Sequence, residues 1–445
     1  MTVKYRPWVC ALAVLIAACA PTAAVSSPSP IPTTDPSATA SSGLAVPVAT
    51  SSVAMRHRWQ LIPDGFMPPA PEVGQNQVVV RFADDPLAGR PIARLQPGGR
   101  ETALVGPTTG PNVFVGVIDL AGLSPGAYAI EIVEHLSGGR EAVVGTADFM
   151  LSQPEYVLWT LDFEGDASGD AELANTAAIA DGLRLPMTVF WNPRVWTTTQ
   201  VSAERRAAML AWTKARQAKG DEIALHLHLW TDYVRASGVT PKTTPSWAGR
   251  GDGYDVPITA YSEAEQRTLI DAGVTLMVDH ALPRPTTFRA GGDMADATTL
   301  RAAAAAGFDL DSTAVATDYP AIGRIPYPWN LPVGAQPYRP SRTDANVAGD
   351  LPLLEVPVIG GNTYGYTVNS IQPQIRANLA LFAPSGKPAT ERKTITVVSH
   401  PGTIVPAERA AIEALLRAFD GLRYDRDAGP VRFVTAAQLA RAYRP

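Results

Sequence analysis

The chain has 445 residues, enough for two or three domains, and its 46% apolar and 18% charged residues are the balance of a globular protein. A net charge of −5, with no basic run beyond the first residues, excludes a phosphate-reading face, so no nucleic-acid partner is expected. The 40 prolines and 36 glycines follow no period, which excludes a collagen-like rod.

In chain order, the first element is an address. Lys4 and Arg6 precede the apolar run Val9–Ala18, too short to anchor stably across a bilayer, and "IAAC" ending at Cys19 has the form of a bacterial lipobox. Residues 1–19 are expected to be a lipoprotein signal, with Cys19 as the lipidated residue, placing the protein on the outer face of a bacterial cell membrane. The other cysteine, Cys10, lies inside the signal, so the mature chain carries no disulfide. No later stretch is long and apolar enough to span a membrane. Residues 20–52, rich in Ser, Pro, Thr and Ala, read as an extended tether that cannot bury a core.

From 53 to 154 short alternating runs ("NQVVVRFA", "RPIARLQ", "NVFVGVIDL", "AYAIEIVEH", "AVVGTADFML") are separated by Gly/Pro turns, the pattern of a small all-β sandwich, immunoglobulin-like in style. At 155 the period changes. Strands "YVLWTLDF", "PMTVFW", "DEIALHLHLW", "TTFRA", "DLDSTAV", "LLEVPVI", "TITVVSH" and "RFVTA" alternate with helical segments from Asp170, Ser202, Ser262, Ala295, Asn369, Pro406 and Thr435. Capping boxes open two of the helices, Ser262 to Glu265 and Thr435 to Gln438, and Pro406 sits in a first turn. Alternation of this kind predicts an α/β fold over 155–445 with parallel strands, in a barrel or a doubly wound sheet.

Polar residues fall at the carboxyl ends of these strands, where either fold places its chemistry. They are Asp162 and Glu164, with Asp166 just after; His226 and His228; Arg289 before two glycines; Asp309, Asp311 and Ser312; and His400. Residues i and i+2 of a strand face one side, so Asp162 with Glu164, and His226 with His228, can each present a pair to one mouth. Two imidazoles and a carboxylate suit zinc, with cobalt or iron also compatible, and leave a position open for water.

The order "TLDFEGD", "DEIALHLHLW", "FRAGG", "GFDLDST", "VVSHPG" resembles the NodB-like polysaccharide deacetylases of carbohydrate esterase family four, over about residues 155–445. The resemblance implies a distorted parallel (β/α) barrel. It implies Asp162 as general base, held by Arg289; Glu164, His226 and His228 as metal ligands; and His400 as general acid, tuned by Asp311. This sequence departs from the family twice: its histidines are two rather than four residues apart, with Trp230 at the usual second position, and Glu164 replaces an Asp, with Asp166 as a competitor. Trp230, Trp191 and Trp329, together with Tyr327, offer aromatic faces for sugar rings. The function implied is metal-dependent removal of N- or O-acetyl groups from a surface or extracellular polysaccharide. A catalytically idle glycan-binding lipoprotein, and a hydrolase of other non-peptide C–N bonds, use the same residues. No feature of the sequence identifies a protein partner.

Overall fold

Two antiparallel-rich sheets come first in the computed structural model, which describes residues 46–64, 76–84, 91–108, 110–320 and 323–444. The signal, Cys19 and most of the tether lie outside the described residues. The strands are β1 (Thr50–Met55), β2 (Trp59–Leu61), β3 (Gln77–Phe82), β4 (Ile92–Gln96), β5 (Glu101–Ala103), β6 (Val113–Val117), β7 (Gly126–Leu136) and β8 (Arg140–Ser152). Their orders are β1-β3-β6 in one sheet and β2-β8-β7-β4-β5 in the other. Alternate residues of both sheets, among them Val78, Val80, Leu95, Ile130, Ile132 and Phe149, meet in one apolar core. The expected all-β module is therefore present. Its first strand starts at Thr50, inside the stretch read as tether, and β1, β2 and β5 carried too weak an alternation to be found.

The rest is α/β. It comprises β9 (Glu155–Asp162), α1 (Asp170–Leu183), β10 (Thr188–Trp191), α2 (Ala203–Ala218), β11 (Glu222–Leu227), α3 (Thr231–Ala236), α4 (Glu263–Asp279), β12 (Thr287–Ala290), α5 (Ala297–Ala305), β13 (Leu310–Asp311), β14 (Leu354–Glu355), α6 (Gln372–Leu381), β15 (Lys393–Ser399), α7 (Pro406–Arg417), β16 (Val431–Phe433) and α8 (Ala436–Ala442). These strands pair in parallel in the order β14-β13-β12-β11-β10-β9-β15, with β16 also on β9, and form an incomplete barrel whose ends are β14 and β15. Every residue of β9 is buried, as expected for an interior strand of a parallel sheet covered on both faces. Both capping boxes form, at Ser262–Glu265 and Thr435–Gln438. The α/β fold expected from the alternation is thus observed.

β13 and β14 are only two residues each, shorter than "DLDSTAV" and "LLEVPVI" suggest. Beyond Asp311, side chains take over donors that a ladder would use. Asp311 Oδ1 accepts from Thr313 N at 2.9 Å, Glu355 Oε1 accepts from Ala314 N at 2.9 Å, and Thr313 Oγ1 accepts from Ala290 N at 2.9 Å. The strands dissolve into a polar web under the mouth of the barrel.

Candidate metal and hydrolytic site

The ends of β9, β11, β12 and β15 meet at a cavity of about 240 Å³, lined by Asp162, Glu164, His226, His228, Asp293 and His400 among others. Arg289 underlies it, 1% exposed, with every edge of its guanidinium engaged. Nη1 donates to Asp162 Oδ1 at 2.7 Å and Thr160 Oγ1 at 2.9 Å, Nε to Ser312 O at 2.6 Å, and Nη2 to Ser312 Oγ at 2.8 Å. The group also lies over the Phe190 ring at 4.2 Å. Asp162 is thereby fixed through one oxygen, and Oδ2 is left over.

The ligand-type residues converge on Glu164. His228 Nε2 lies 2.7 Å and His226 Nε2 3.9 Å from Glu164 Oε2, and His400 Nε2 is 3.2 Å from Oε1. Glu164, His226 and His228 offer one donor atom each within 4.8 Å of one another. His226 Nδ1 is 3.1 Å from the carbonyl oxygen of Arg289, which can only accept. The proton therefore sits on Nδ1, and the buried Nε2, without a hydrogen-bond partner among the described residues, presents a lone pair. His228 Nδ1 is 2.7 Å from Asp255 Oδ1, the carboxylate–imidazole arrangement that orients a metal ligand. An orphaned imidazole nitrogen, a second imidazole braced by a carboxylate and an acidic oxygen form a donor set that fits a zinc-like divalent ion. Asp166 is exposed and outside the cluster, whereas His228, two residues from His226, is inside it.

Local geometry explains the departures from the usual spacing. Gly165 has φ 83°, and a Cβ there would come within 2.9 Å of Asn192 and Arg194, so only glycine lets the chain turn Glu164 inward. Asn192 Nδ2 donates to Glu164 O at 3.2 Å and Arg194 Nη1 to Gly165 O at 2.9 Å. Arg194 is itself held by Asp232 at 2.8 Å. A Cβ on Gly291 would lie 2.5 Å from the His228 ring, so the glycine of "FRAGG" makes room for that imidazole.

Burial alone would push the Glu164 carboxyl up, but the charge of His228 and the surrounding imidazoles hold it well below the usual carboxylate range. Burial alone would lower His400, and its hydrogen bond to Glu164 instead raises it. The carboxyl of Asp293 is pushed up to about 7, chiefly by burial.

Three assignments need correction. Asp311 does not touch His400. Its Oδ1 accepts from Thr313 N, its Oδ2 has no other partner among the described residues, and it is the register partner of Glu355 across β13 and β14. Trp191 is fully buried against Phe163 and Trp196, at ring distances of 5.1 and 5.5 Å, and has no face for a sugar. Trp329 is 7% exposed, and its indole donates to Asp293 O at 2.8 Å, bracing the loop instead of lining the cavity. Trp230 does line the cavity, with the Arg194 guanidinium 3.4 Å over its ring. Asp255, Trp247, Tyr254, Asp293 and Tyr319 also line it and were not found from sequence. They sit in loops without periodicity. The one local signal was an excess of Asp, Gly and aromatic residues in 244–255.

No protein-family model matches the chain, and no curated protein sequence matches it. Among solved structures, the chain is similar to a protein from Mycobacterium smegmatis provisionally named a polysaccharide deacetylase, at 16% identity and TM-score 0.41, covering 64% of this chain and 88% of that one. It is also similar to a family 4 carbohydrate esterase from Streptomyces lividans solved with acetate, at 11% identity and TM-score 0.30, covering 61% and 88%. A third is a family-four pseudoenzyme from Bacillus anthracis, at 9% identity and TM-score 0.35, covering 64% and 66%.

Proposed function

We infer that the protein is a metal-dependent hydrolase that removes acetyl groups from an acetylated polysaccharide outside the cell. The observation that carries this reading is the unpartnered, lone-pair-bearing Nε2 of His226, aimed with His228 at Glu164 beside an Arg289-fixed Asp162. Glu164, His226 and His228 would hold the ion, zinc by its donor chemistry. When bound, such an ion polarises a carbonyl and makes water a stronger acid. Asp162 accepts a proton from the attacking water on its free oxygen, because Arg289 holds the other. His400, its pKa raised by Glu164, donates a proton to the departing nitrogen or oxygen. Asp162 and His400 thus handle protons on either side of the reacting carbon.

Acetate release from acetylated glycans tests the reading. Chelation is expected to abolish release and added zinc to restore it. Asp162→Asn should lower kcat by about 10²–10⁴-fold with the circular dichroism unchanged. Release that persists in chelator would overturn metal dependence. Glycan binding without release from any acetylated glycan would leave a binding protein instead.

The address is part of the same proposal: Cys19 carries lipid and holds the enzyme at the outer face of the membrane. Cys19→Ala should move the protein from the membrane fraction to the medium. Retention in the membrane fraction would remove the lipid anchor from the account.

A further inference from the structure

A second cavity, of about 900 Å³, opens beside the first. The two share Glu164, Trp247, Tyr319, Asn362 and His400, whereas Asp162 lines only the smaller one. The large groove therefore departs from the His400 side of the reacting centre, away from the base. It lies at the seam of the barrel, where β14 and β15 are the two ends of the strand order and the segment around Gly360–Thr363 bridges to β15 through Gly360 N→Thr396 O at 2.8 Å and Thr363 N→Val398 O at 2.9 Å. One wall is a face of α6, with Gln374, Ala377, Asn378 and Leu381 at i, i+3, i+4 and i+7.

The chemistry of the groove is apolar. Its three amides are engaged by the fold: Gln374 Nε2 donates to Asn378 Oδ1 at 2.8 Å, Asn378 Nδ2 to Gly360 O at 3.0 Å, and Asn362 Oδ1 accepts from Tyr364 N at 3.1 Å. What remains for a ligand is largely Val333, Tyr364, Tyr366, Ala377 and Leu381, with Asp318 and Thr403 as polar exceptions. At the lip, Val333 and Tyr364 are each 66% exposed. A scattered exposed valine is ordinary, but apolar residues at the mouth of a cleft that runs into the reacting centre mark a ligand surface. An acetyl methyl does not need this volume. A bare sugar chain would leave the aliphatic wall without a partner.

On the hydrolytic reading above, on which this inference rests, the heteroatom that His400 protonates lies on the same side as the groove. We propose that the groove holds an alkyl chain borne by the alcohol or amine that the reaction releases, so that the substrate is an amphiphile such as an acetylated glycolipid. Water adds to the acetyl carbonyl carbon and gives one proton to Asp162. The bond from that carbon to the leaving oxygen or nitrogen breaks, the leaving atom takes a proton from His400, and the lipidic alcohol or amine departs with acetic acid, which gives its remaining proton to solvent to become acetate. Asp162 then loses its proton to solvent, and His400 regains one.

The test varies the chain on each side of the scissile bond. With full-length protein and zinc, kcat/KM for ethyl, butyl and hexyl acetate should rise by roughly fourfold for each methylene buried. Ethyl butyrate and ethyl hexanoate should show no such rise. Ala377 is exposed on α6, so Ala377→Trp and Ala377→Leu are compatible with folding. Both should pull the hexyl-to-ethyl acetate ratio down toward one. A flat alcohol series, or a rise along the acyl series instead, overturns the proposal. Calorimetry with octyl glucoside below its micelle concentration separates the groove from the reaction. Binding weakened tenfold or more by Ala377→Trp, in a protein that hydrolyses none of the acetates, would keep the groove and remove the hydrolytic reading. Absence of octyl glucoside binding would remove the groove.

Discussion

His228 is braced from behind by Asp255 and meets Glu164 in front, each at 2.7 Å. Asp255 adopts φ 58°, a left-handed conformation that Asp tolerates better than most residues, so the loop holds a bent backbone in order to aim one carboxylate. Asp255→Asn should therefore weaken metal binding by about 10–100-fold, read by competition against a coloured chelator, without lowering the melting temperature of the metal-free protein. An unchanged affinity would show that Asp255 supports the loop and not the ligand. Residue positions were legible where the ends of the strands decide them. Asp162 and His226 follow from their places at the ends of β9 and β11, whereas Glu164 and His228 lie just beyond those strands and are seated by Gly165 and Gly291. Trp191 is placed by strand parity: Phe190 turns toward Arg289 at 4.2 Å, so its neighbour must turn away, into the core. Asp255 could not be read at all, because its place depends on a loop closing over 27 residues.

At the scale of elements, the helices were the most legible, since capping boxes, Pro406 and the 3.6-residue period agree on their limits. The two-residue strands were not, because their pairing rests on a buried acid pair. Burial raises the Glu355 carboxyl well above its ordinary value of 4.5, and Asp311 adds to the rise; Asp311 itself is pushed up to about 6, again chiefly by burial. Asp311 Oδ2 and Glu355 Oε2 are both buried with no other partner among the described residues, so one proton held between them satisfies both. A carboxyl that keeps its proton in the fold stabilises the protein fully only below its unfolded value, and that contribution is lost as the pH rises through the folded one. The unfolding free energy from urea titration should accordingly fall as the pH rises above about 5, by on the order of 1 kcal/mol per pH unit within the titrating window. Glu355→Gln, whose amide can donate to Asp311, should flatten that slope. Equal slopes in the two proteins would mean that the proton is not shared.

For the whole molecule, the change of period near 155 falls between β8 and β9, but gives no sign of how tightly the two parts are joined. Only Gln153 and Pro154 separate β8 from β9. Asp427 accepts from Arg58 N and Trp59 N, each at 2.9 Å, and Trp59 and Leu61 pack with Tyr424. Ser152 Oγ accepts from Ala389 N at 2.8 Å, and Tyr156 donates to Asp64. The sandwich is thus built onto the barrel by backbone and core contacts. Calorimetry of a chain beginning at Ala45 should give a single cooperative transition, and Glu155–Pro445 alone should melt lower. Two resolved transitions in the longer chain would show that the junction does not couple them.

Arg289 braces the site through two unlike parts of itself. Its side chain fixes Asp162, and its carbonyl sets the proton on His226. Substitution removes the first and leaves the second, because every residue has a carbonyl. On the proposed function, reactivity and ion binding are therefore separable by inheritance at this one position: a descendant altered at 289 would keep the proton placement on His226 while losing the support of Asp162.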